Sequence, residues 1–239
     1  IGDAGGAQAE GRDPLRHGRI LHGRTGRGET PESPGVKLDR LMETLLPALL
    51  RLLGAYLLGS LNGALLLGRL RGVDIRTQGS GNAGGTNALR TQGRWFALGV
   101  VIIDIAKAWI AVRVLGGPGA TWLAVGCGFA AVLGHVYPVF HGFRGGKGVA
   151  TLLGLSIALA WPIGLVFAVV WLGTVLLLRI SSLGGMLGAV SAPVAALAFG
   201  YPVYAIGLAG LAVVVLWRHR ENINRLLAGK ESKLGAKKK

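Results

Sequence analysis

A polar, glycine-rich stretch at 78–90, QGSGNAGGTNALR, is the first part of the chain whose residues could do chemistry. Its glycines let backbone N–H groups turn toward an anion, and hydroxyl, amide and guanidinium groups can complete the cradle. A flexible turn would not need two Asn, a Ser, a Thr and an Arg at this density. We therefore predict a phosphate-binding loop, called here the first loop. Its candidate ligands are Ser80, Gly81, Asn82, Thr86, Asn87 and Arg90.

A second glycine-rich stretch, GHVYPVFHGFRGGKGVAT at 134–151, places Arg144 and Lys147 at the start of a predicted helix. The positive end of the helix dipole, free N–H groups and an ammonium would converge there on an anion. This second loop is unlike an ATP-binding P-loop, because Gly148 follows the lysine where Ser or Thr is required and His141 replaces the earlier glycine. Its candidate binding residues are Gly145, Gly146, Lys147 and Gly148.

The stretch RHRENINRLLAGKE at 218–231 mixes His219, Glu221 and Asn222 with several arginines. A basic segment next to the membrane is commonly only an electrostatic anchor. An anchor does not need His, Glu and Asn, so we predict that this third stretch contributes to a site. The short connection 179–183, RISSL, is a further candidate stretch.

The carboxylates are too few and too scattered for a metal-dependent phosphotransferase. From Met42 onward they are Glu43, Asp74, Asp104, Glu221 and Glu231, with no spaced cluster that could hold Mg²⁺. No His is followed five residues later by Asp, the pair typical of acyl-CoA-dependent glycerolipid acyltransferases. We therefore expect no metal and no cofactor, and catalysis by positioning and electrostatics.

The elements that must position these loops are membrane helices. The 239 residues are 51% hydrophobic and 15% charged, with a mean hydropathy of +0.51, which leaves too little polar surface for a soluble domain. The net charge of +15 lies between apolar runs and at the chain ends, so membrane topology explains it better than nucleic acid does. We predict an all-α bundle of seven spans at 46–68, 95–115, 120–139, 147–160, 162–178, 183–199 and 202–217.

The basic connections alternate with short uncharged ones, which by the positive-inside rule places the glycine-rich loops in the cytoplasm. The N-terminus would then lie outside and the C-terminus inside. The domain prediction is a disordered or non-native extension at 1–41, the membrane domain at 42–231 and a basic tail at 232–239. Because Met42 stands directly before the first apolar run, it is a candidate natural start.

Asp104, Lys107 and Cys127 lie inside the predicted spans. Asp104 and Lys107, three residues apart on one helical face, are either an ion pair that holds the bundle or a site with a catalytic carboxylate; we favour the ion pair. Cys127 is the only cysteine, and its apolar surroundings indicate packing rather than a thiol nucleophile. Small residues such as Gly184, Gly185 and Gly188 predict close helix contacts.

The three stretches GSGNAGGTNALR, GHVYPVFHGFRGGKGVAT and HRENINRLLAGKE, in this order, resemble the bacterial, PlsY-type family of acyl-phosphate-dependent glycerol-3-phosphate acyltransferases. The resemblance covers about 42–231 and implies a seven-helix bundle in the bacterial inner membrane with the loops on the cytoplasmic face. It implies transfer of a fatty acyl group from acyl phosphate to the 1-hydroxyl of sn-glycerol 3-phosphate, which gives 1-acylglycerol 3-phosphate and phosphate in phospholipid synthesis. Carried over by position, the catalytic or phosphate-binding residues are Ser80, Arg90, Lys147, Ser182, His219 and Asn222.

Acyl phosphate has a good leaving group, so this chemistry needs cations for the phosphates and a proton acceptor, but no acyl-enzyme. His219, Glu221 and a substrate phosphate oxygen remain open as the acceptor. We expect acyl phosphate, glycerol 3-phosphate and membrane lipid as partners, no nucleic acid, and a monomer. A transporter of a phosphorylated metabolite and a lipid-binding scaffold are the alternatives, although the sequence has no evident internal repeat.

Overall fold

The computed structural model describes residues 34–117 and 122–235, with side chains from residue 41 onward. Every regular element in these two ranges is helical, which confirms the all-α prediction. The α-helices there are α1 (Pro34–Gly59), α2 (Gly63–Leu70), α3 (Gly85–Gln92), α4 (Arg94–Ile110), α5 (Trp122–Val136), α6 (Val149–Leu159), α7 (Trp161–Leu178), α8 (Ser181–Ala198), α9 (Pro202–Arg218) and α10 (Arg220–Leu227). Of the predicted extension 1–41, residues 1–33 lie outside the described ranges.

Five helices of the described ranges are long and apolar enough to cross a membrane, and α9 with α10, bent by 61° between them, would make a sixth. The five are α1 from residue 41 onward, α4 with the π-helical turn that continues it, α5 with the turn after it, α7 and α8. Helix α6 has 11 residues, a rise of about 16 Å, and is too short to cross a hydrocarbon core of about 30 Å alone. A multi-pass membrane bundle is confirmed, and the count of seven spans stays a prediction.

The first predicted span, 46–68, is wrong as a continuous helix. Helix α1 ends at Gly59, where a Cβ atom would lie 2.1 Å from the Ala131 carbonyl of α5. Asn62 then starts α2, because its Oδ1 accepts hydrogen bonds from the backbone N–H groups of Ala64 and Leu65 at 3.0 and 3.1 Å. The chain therefore breaks and restarts next to α5, so that α2 is a separate short helix.

The buried core lies mainly among α5 to α9, with Leu152, Phe167 and Leu208 fully buried. A second cluster of buried residues joins α2, α3 and α4. The predicted close packing through small residues is confirmed at α8, where a Cβ atom on Gly188 would lie 2.9 Å from the Phe167 ring. Large apolar side chains elsewhere face outward, as at Leu177, which is 83% exposed on α7. Lipid can cover this apolar surface.

Asp104 and Lys107 form the predicted ion pair within α4. Their carboxylate and ammonium are 2.8 Å apart, and both side chains are almost completely buried. His135, near the end of α5, joins them through Nδ1, 2.9 Å from the Lys107 ammonium and 3.3 Å from the Asp104 carboxylate. This third member was not predicted from the sequence. Cys127 is buried on α5, as its apolar surroundings indicated.

Candidate active site

A cavity of about 1060 Å³ opens where the two glycine loops, the α7–α8 connection and α10 meet. It is the place where the sequence-predicted site residues come together. The cavity wall includes Ser80, Gly81, Asn82, Thr86, Asn87, Arg90, Gly145, Lys147, Gly148, Ser182, His219, Glu221 and Asn222. Gly146 is the one predicted site residue that lies behind the wall rather than in it.

The first loop is shaped by Asn87. Its Oδ1 accepts a hydrogen bond from the Ser80 backbone N–H at 2.9 Å, and its Nδ2 donates to the carbonyls of Ile75 and Gln78 at 3.1 and 3.0 Å. The Asn87 amide therefore holds the loop in shape, and its role as a substrate ligand stays a prediction. The Thr86 hydroxyl lies 2.7 Å from the Ser181 hydroxyl, which joins the first loop to the start of α8.

Two glycines of the second loop, Gly145 and Gly146, bring this loop close to the end of α5. The N–H groups of Gly145 and Gly146 donate to the carbonyls of Val136 and His135, both at 3.2 Å, so the loop folds back on the end of α5. A Cβ atom on Gly145 would lie 2.0 Å from the His135 carbonyl oxygen. Gly148 caps α6 with a φ of +87°, a conformation that favours glycine. These glycines place Lys147 at the head of α6.

The third stretch contributes a carboxylate that we had not selected from the sequence. Glu231 Oε1 accepts hydrogen bonds from Ser182 Oγ at 2.7 Å and Asn222 Nδ2 at 2.6 Å. Its Oε2 accepts from Arg225 Nε at 2.7 Å. Asn222 Oδ1 in turn accepts from the Lys147 ammonium, so the three predicted residues Lys147, Asn222 and Ser182 belong to one hydrogen-bonded network.

Residues beyond Glu231 also take part, although we had placed 232–239 in a separate tail. The Ser232 carbonyl accepts a hydrogen bond from Arg90 Nη2 at 3.1 Å. The Leu234 N–H donates to the Arg179 carbonyl at 2.7 Å, which fixes this segment to the α7–α8 connection. Both Ser232 and Leu234 line the cavity. The only sequence signal for this arrangement was that Glu231 closes the third stretch.

Four helix N-termini surround the cavity. Its wall contains the first residues of α3, α6, α8 and α10, and the first turns of α3, α6 and α8 hold no acidic residue. The first N–H groups of a helix lack partners within the helix and form the positive end of its dipole. We had predicted such an anion-binding helix end at the second loop alone.

Side-chain charge favours an anion in the same place. The wall holds eight Lys or Arg residues and three carboxylates: Arg76, Arg90, Arg94, Arg144, Lys147, Arg218, Arg220 and Arg225 against Asp104, Glu221 and Glu231. Asp104 is paired with Lys107 and Glu231 with Arg225, so these two carboxylates are already compensated. The cavity therefore has an excess of positive charge suited to phosphate groups.

Burial sets the protonation of two central groups. It lowers the pKa of Lys147 to about 8; repulsion from Arg225 adds to this, and Glu231 and Glu221 oppose it. Burial is also the main cause that lowers the pKa of His219 to about 4, with Lys147 contributing. Near pH 7, Lys147 is thus mainly an ammonium and His219 a neutral imidazole.

The tautomer of His219 follows from its backbone contact. Its Nδ1 lies 2.8 Å from the Val215 carbonyl oxygen, which can only accept, so Nδ1 carries the proton. Nε2 is then the acceptor that this residue can offer at the cavity wall.

Three hydrogen bonds, from Ser182, Asn222 and Arg225, outweigh burial and hold the pKa of Glu231 below its usual range, so this carboxyl stays an acceptor. No group of three potential His, Cys, Asp or Glu metal ligands occurs in the described ranges.

Apolar membrane helices around one cationic cavity define a multi-pass membrane protein suited to a phosphate-bearing ligand. The sequence model described as glycerol-3-phosphate acyltransferase matches residues 49–229. The chain is 49% identical over 195 residues to the glycerol-3-phosphate acyltransferase of Brucella anthropi, covering 79% of this chain and 96% of the relative. It is 47% identical to the Paramagnetospirillum magneticum enzyme of that name over 194 residues, covering 78% and 94%.

Solved structures agree with the sequence relatives. The crystal structure of PlsY, an integral membrane glycerol 3-phosphate acyltransferase in its glycerol 3-phosphate form, superposes with a TM-score of 0.74 at 41% identity, covering 79% of this chain and 96% of that one. Its lysophosphatidic acid form superposes equally, with a TM-score of 0.74 at 40% identity, covering 79% and 95%. The chain therefore belongs to the glycerol-3-phosphate acyltransferase family of integral membrane proteins, as the resemblance of the three stretches implied.

Proposed function

We propose that this protein transfers a fatty acyl group from acyl phosphate to the 1-hydroxyl of sn-glycerol 3-phosphate, giving 1-acylglycerol 3-phosphate and phosphate. The observation that carries the proposal is the convergence of four helix N-termini, Lys147 and Arg90 on one cavity. Both proposed substrates carry a phosphate, and a cavity of about 1060 Å³ offers space for more than one small ligand. Glycerol 3-phosphate is also the substrate named for the relatives and for the solved structure.

The cavity wall has polar and apolar parts. The apolar part includes Leu98 and Val101 of α4, Leu153 of α6, and Phe167 and Trp171 of α7. We assign the acyl chain to these apolar residues and the phosphates to the glycine loops and α10. The carbonyl carbon of the donor would then lie at the junction of the two parts.

The chemistry consists of one substitution at this carbonyl carbon. The glycerol 1-oxygen forms the new C–O bond, the C–O bond to phosphate breaks, and the phosphate leaves with the bonding electron pair. The hydroxyl proton ends on a phosphate oxygen, so no other reactant is needed. Lys147 and Arg90 stabilise the negative charge, and Ser80, Ser182 and Asn222 orient the phosphates.

Neutral His219 can accept a hydrogen bond from the glycerol hydroxyl through Nε2, which orients that hydroxyl. A histidine with a pKa of about 4 is a weak base, so we assign the proton itself to the phosphate. Glu221, the third candidate acceptor, is exposed at the edge of the cavity, so we give it a binding role.

We further propose a seven-span topology in the bacterial inner membrane, with an external N-terminus, a cytoplasmic active site and a monomeric state. Two features support the orientation. The eight cations of the cavity wall are gathered around one cavity, and Arg69 and Arg71, at the end of α2, shortly precede Arg76 of that wall in the chain. Arginine-rich loops are retained in the cytoplasm.

The test uses the purified full chain with acyl phosphate and labelled glycerol 3-phosphate in detergent. Labelled 1-acylglycerol 3-phosphate and released phosphate in equal amounts are the expected products. Acyl-CoA is the donor control, and turnover with acyl-CoA but not with acyl phosphate would contradict the proposed donor. Label that crosses a sealed vesicle without product would instead indicate a transporter, and binding without either would indicate a scaffold.

A further inference from the structure

A buried ionic cluster adjoins the candidate active site, and its Asp104 and His135 form part of the cavity wall. It consists of Asp104 and Lys107 of α4 and His135 of α5, all less than 5% exposed. Asp104 Oδ1 also accepts a hydrogen bond from the Gly63 N–H at 3.0 Å, at the start of α2. Lys107 donates to the Leu61 carbonyl at 3.3 Å. The cluster thus fills the break between α1 and α2.

The cluster contacts both glycine loops. Asn62 Nδ2, 3.4 Å from His135 Nδ1, donates to the Ala83 carbonyl of the first loop at 3.1 Å. On the other side, the His135 carbonyl accepts from the Gly146 N–H of the second loop at 3.2 Å. A Cβ atom on Gly146 would lie 2.2 Å from His135 Nε2 and 2.7 Å from the Ala83 carbonyl oxygen. Gly146 is therefore held between the histidine ring and the first loop.

The hydrogen bond with Lys107 fixes the orientation of the ring. An ammonium can only donate, so His135 Nδ1 accepts from Lys107 and the ring proton lies on Nε2. The Lys107 ammonium is itself held 2.8 Å from the Asp104 carboxylate. If either buried group moved away, the other would be left with an uncompensated charge, so the pair is fixed in position. The orientation of the ring is thereby determined from α4, through Lys107.

We propose that His135, oriented by Lys107 and Asp104, is a positioning residue that sets the separation between the first loop and the second loop. In this role it fixes the position of Lys147, the neighbour of Gly146, relative to Ser80 and Arg90. The inference rests on the proposed function, because it concerns the same site. Enzymatic rates are sensitive to such separations, and a misplacement of about 1 Å can cost up to about 100-fold.

The test compares His135→Leu with His135→Asn, because both leave the Asp104–Lys107 pair intact and create no uncompensated charge. The amide oxygen of asparagine lies near the position of Nδ1 and can accept from Lys107, whereas leucine cannot. Ser156→Ala is the matched control: its hydroxyl is equally buried but bonds only within α6, to the Leu152 carbonyl at 2.8 Å. KM and kcat for acyl transfer, and Tm with and without glycerol 3-phosphate, are measured for each variant.

We expect His135→Leu to raise the KM of glycerol 3-phosphate about tenfold or more, and to reduce the rise in Tm that this ligand causes. His135→Asn should lie closer to wild type than to the leucine variant in both measurements, and Ser156→Ala should match wild type. A purely structural role would lower the ligand-free Tm without changing KM, and that result would overturn the proposal. Equal defects in the Leu and Asn variants would also overturn it.

Gly146→Ala tests the same contact from the opposite side and remains informative if His135→Leu does not fold. The added methyl would overlap the His135 ring and the Ala83 carbonyl, so it changes the separation of the two loops without removing any charge of the cluster. The same rise in KM is expected, and a wild-type KM would overturn the proposal. If the wild-type chain transfers no acyl group, the proposed function fails by itself. In that case the variants are ranked by the rise in Tm that glycerol 3-phosphate causes. This ranking tests the positioning role independently of acyl transfer.

Discussion

Replacement of Lys147 by alanine removes the cation that lies at the head of α6 and donates to Asn222 Oδ1. A charge-assisted hydrogen bond to a phosphate contributes on the order of 1.5–3 kcal/mol. At 1.36 kcal/mol per decade, its loss lowers the rate by roughly one to two decades if the bond is fully expressed in the transition state. We therefore expect kcat/KM for glycerol 3-phosphate to fall by about 10- to 100-fold.

The assay follows labelled 1-acylglycerol 3-phosphate formed by purified protein, with kcat and KM measured separately for each substrate. Lys230→Ala is the matched control, since this lysine is exposed, lies in the third stretch and does not line the cavity. It should keep wild-type kinetics. Both variants should retain the wild-type Tm within a few degrees, because neither side chain belongs to the apolar core.

Lys147→Arg separates charge from shape. It keeps the positive charge, but a guanidinium is larger than an ammonium and presents its donors in a planar fork, so it cannot reproduce the contact of the Lys147 ammonium with Asn222 Oδ1 unchanged. We expect a large loss here too. Near-normal turnover of Lys147→Ala at saturating substrate would refute the reasoning, since the second loop would then be structural and the active site would lie elsewhere.

Three further predictions follow from the same geometry. The kcat/KM for glycerol 3-phosphate should fall as pH rises through about 8, because the free protein loses the Lys147 ammonium there, and a flat profile across this range would contradict a need for that charge. Arg90→Ala should lower kcat/KM by about one to two decades in the same assay, whereas Arg69→Ala, outside the cavity wall, should not. Cys127→Ser should retain activity at normal expression, because its thiol is buried on α5 and does not line the cavity; complete loss would revive a thioester mechanism.

The location of the site was predictable because polar groups are expensive in a membrane chain. In a chain that is 51% hydrophobic, a stretch such as 78–90 stands out, and hydropathy alone gives the apolar helices around it. The polar residue types then indicate anion binding. Together with the resemblance of the three stretches, this reasoning predicted fourteen site residues; thirteen of them line one cavity, and Gly146 lies just behind its wall.

The break after Gly59 could not be read from hydropathy, because 46–68 is apolar throughout apart from single polar residues. It depends on a tertiary contact, the close approach of Gly59 to Ala131 of α5, together with the capping side chain of Asn62. Glu231 was missed for a similar reason. Its partners Ser182, Asn222 and Arg225 come from two segments that only the fold brings together.

Two groups of ionic side chains in the bundle differ in charge balance, and the difference explains their roles. At the buried cluster, the Asp104 carboxylate compensates the Lys107 ammonium, so this pair has no charge left for a ligand even though Asp104 borders the cavity. Around the cavity, cations exceed carboxylates, and the positive ends of four helices add to them. An incoming phosphate is therefore stabilised only in the cavity, while the buried pair can hold the loops apart without competing for it.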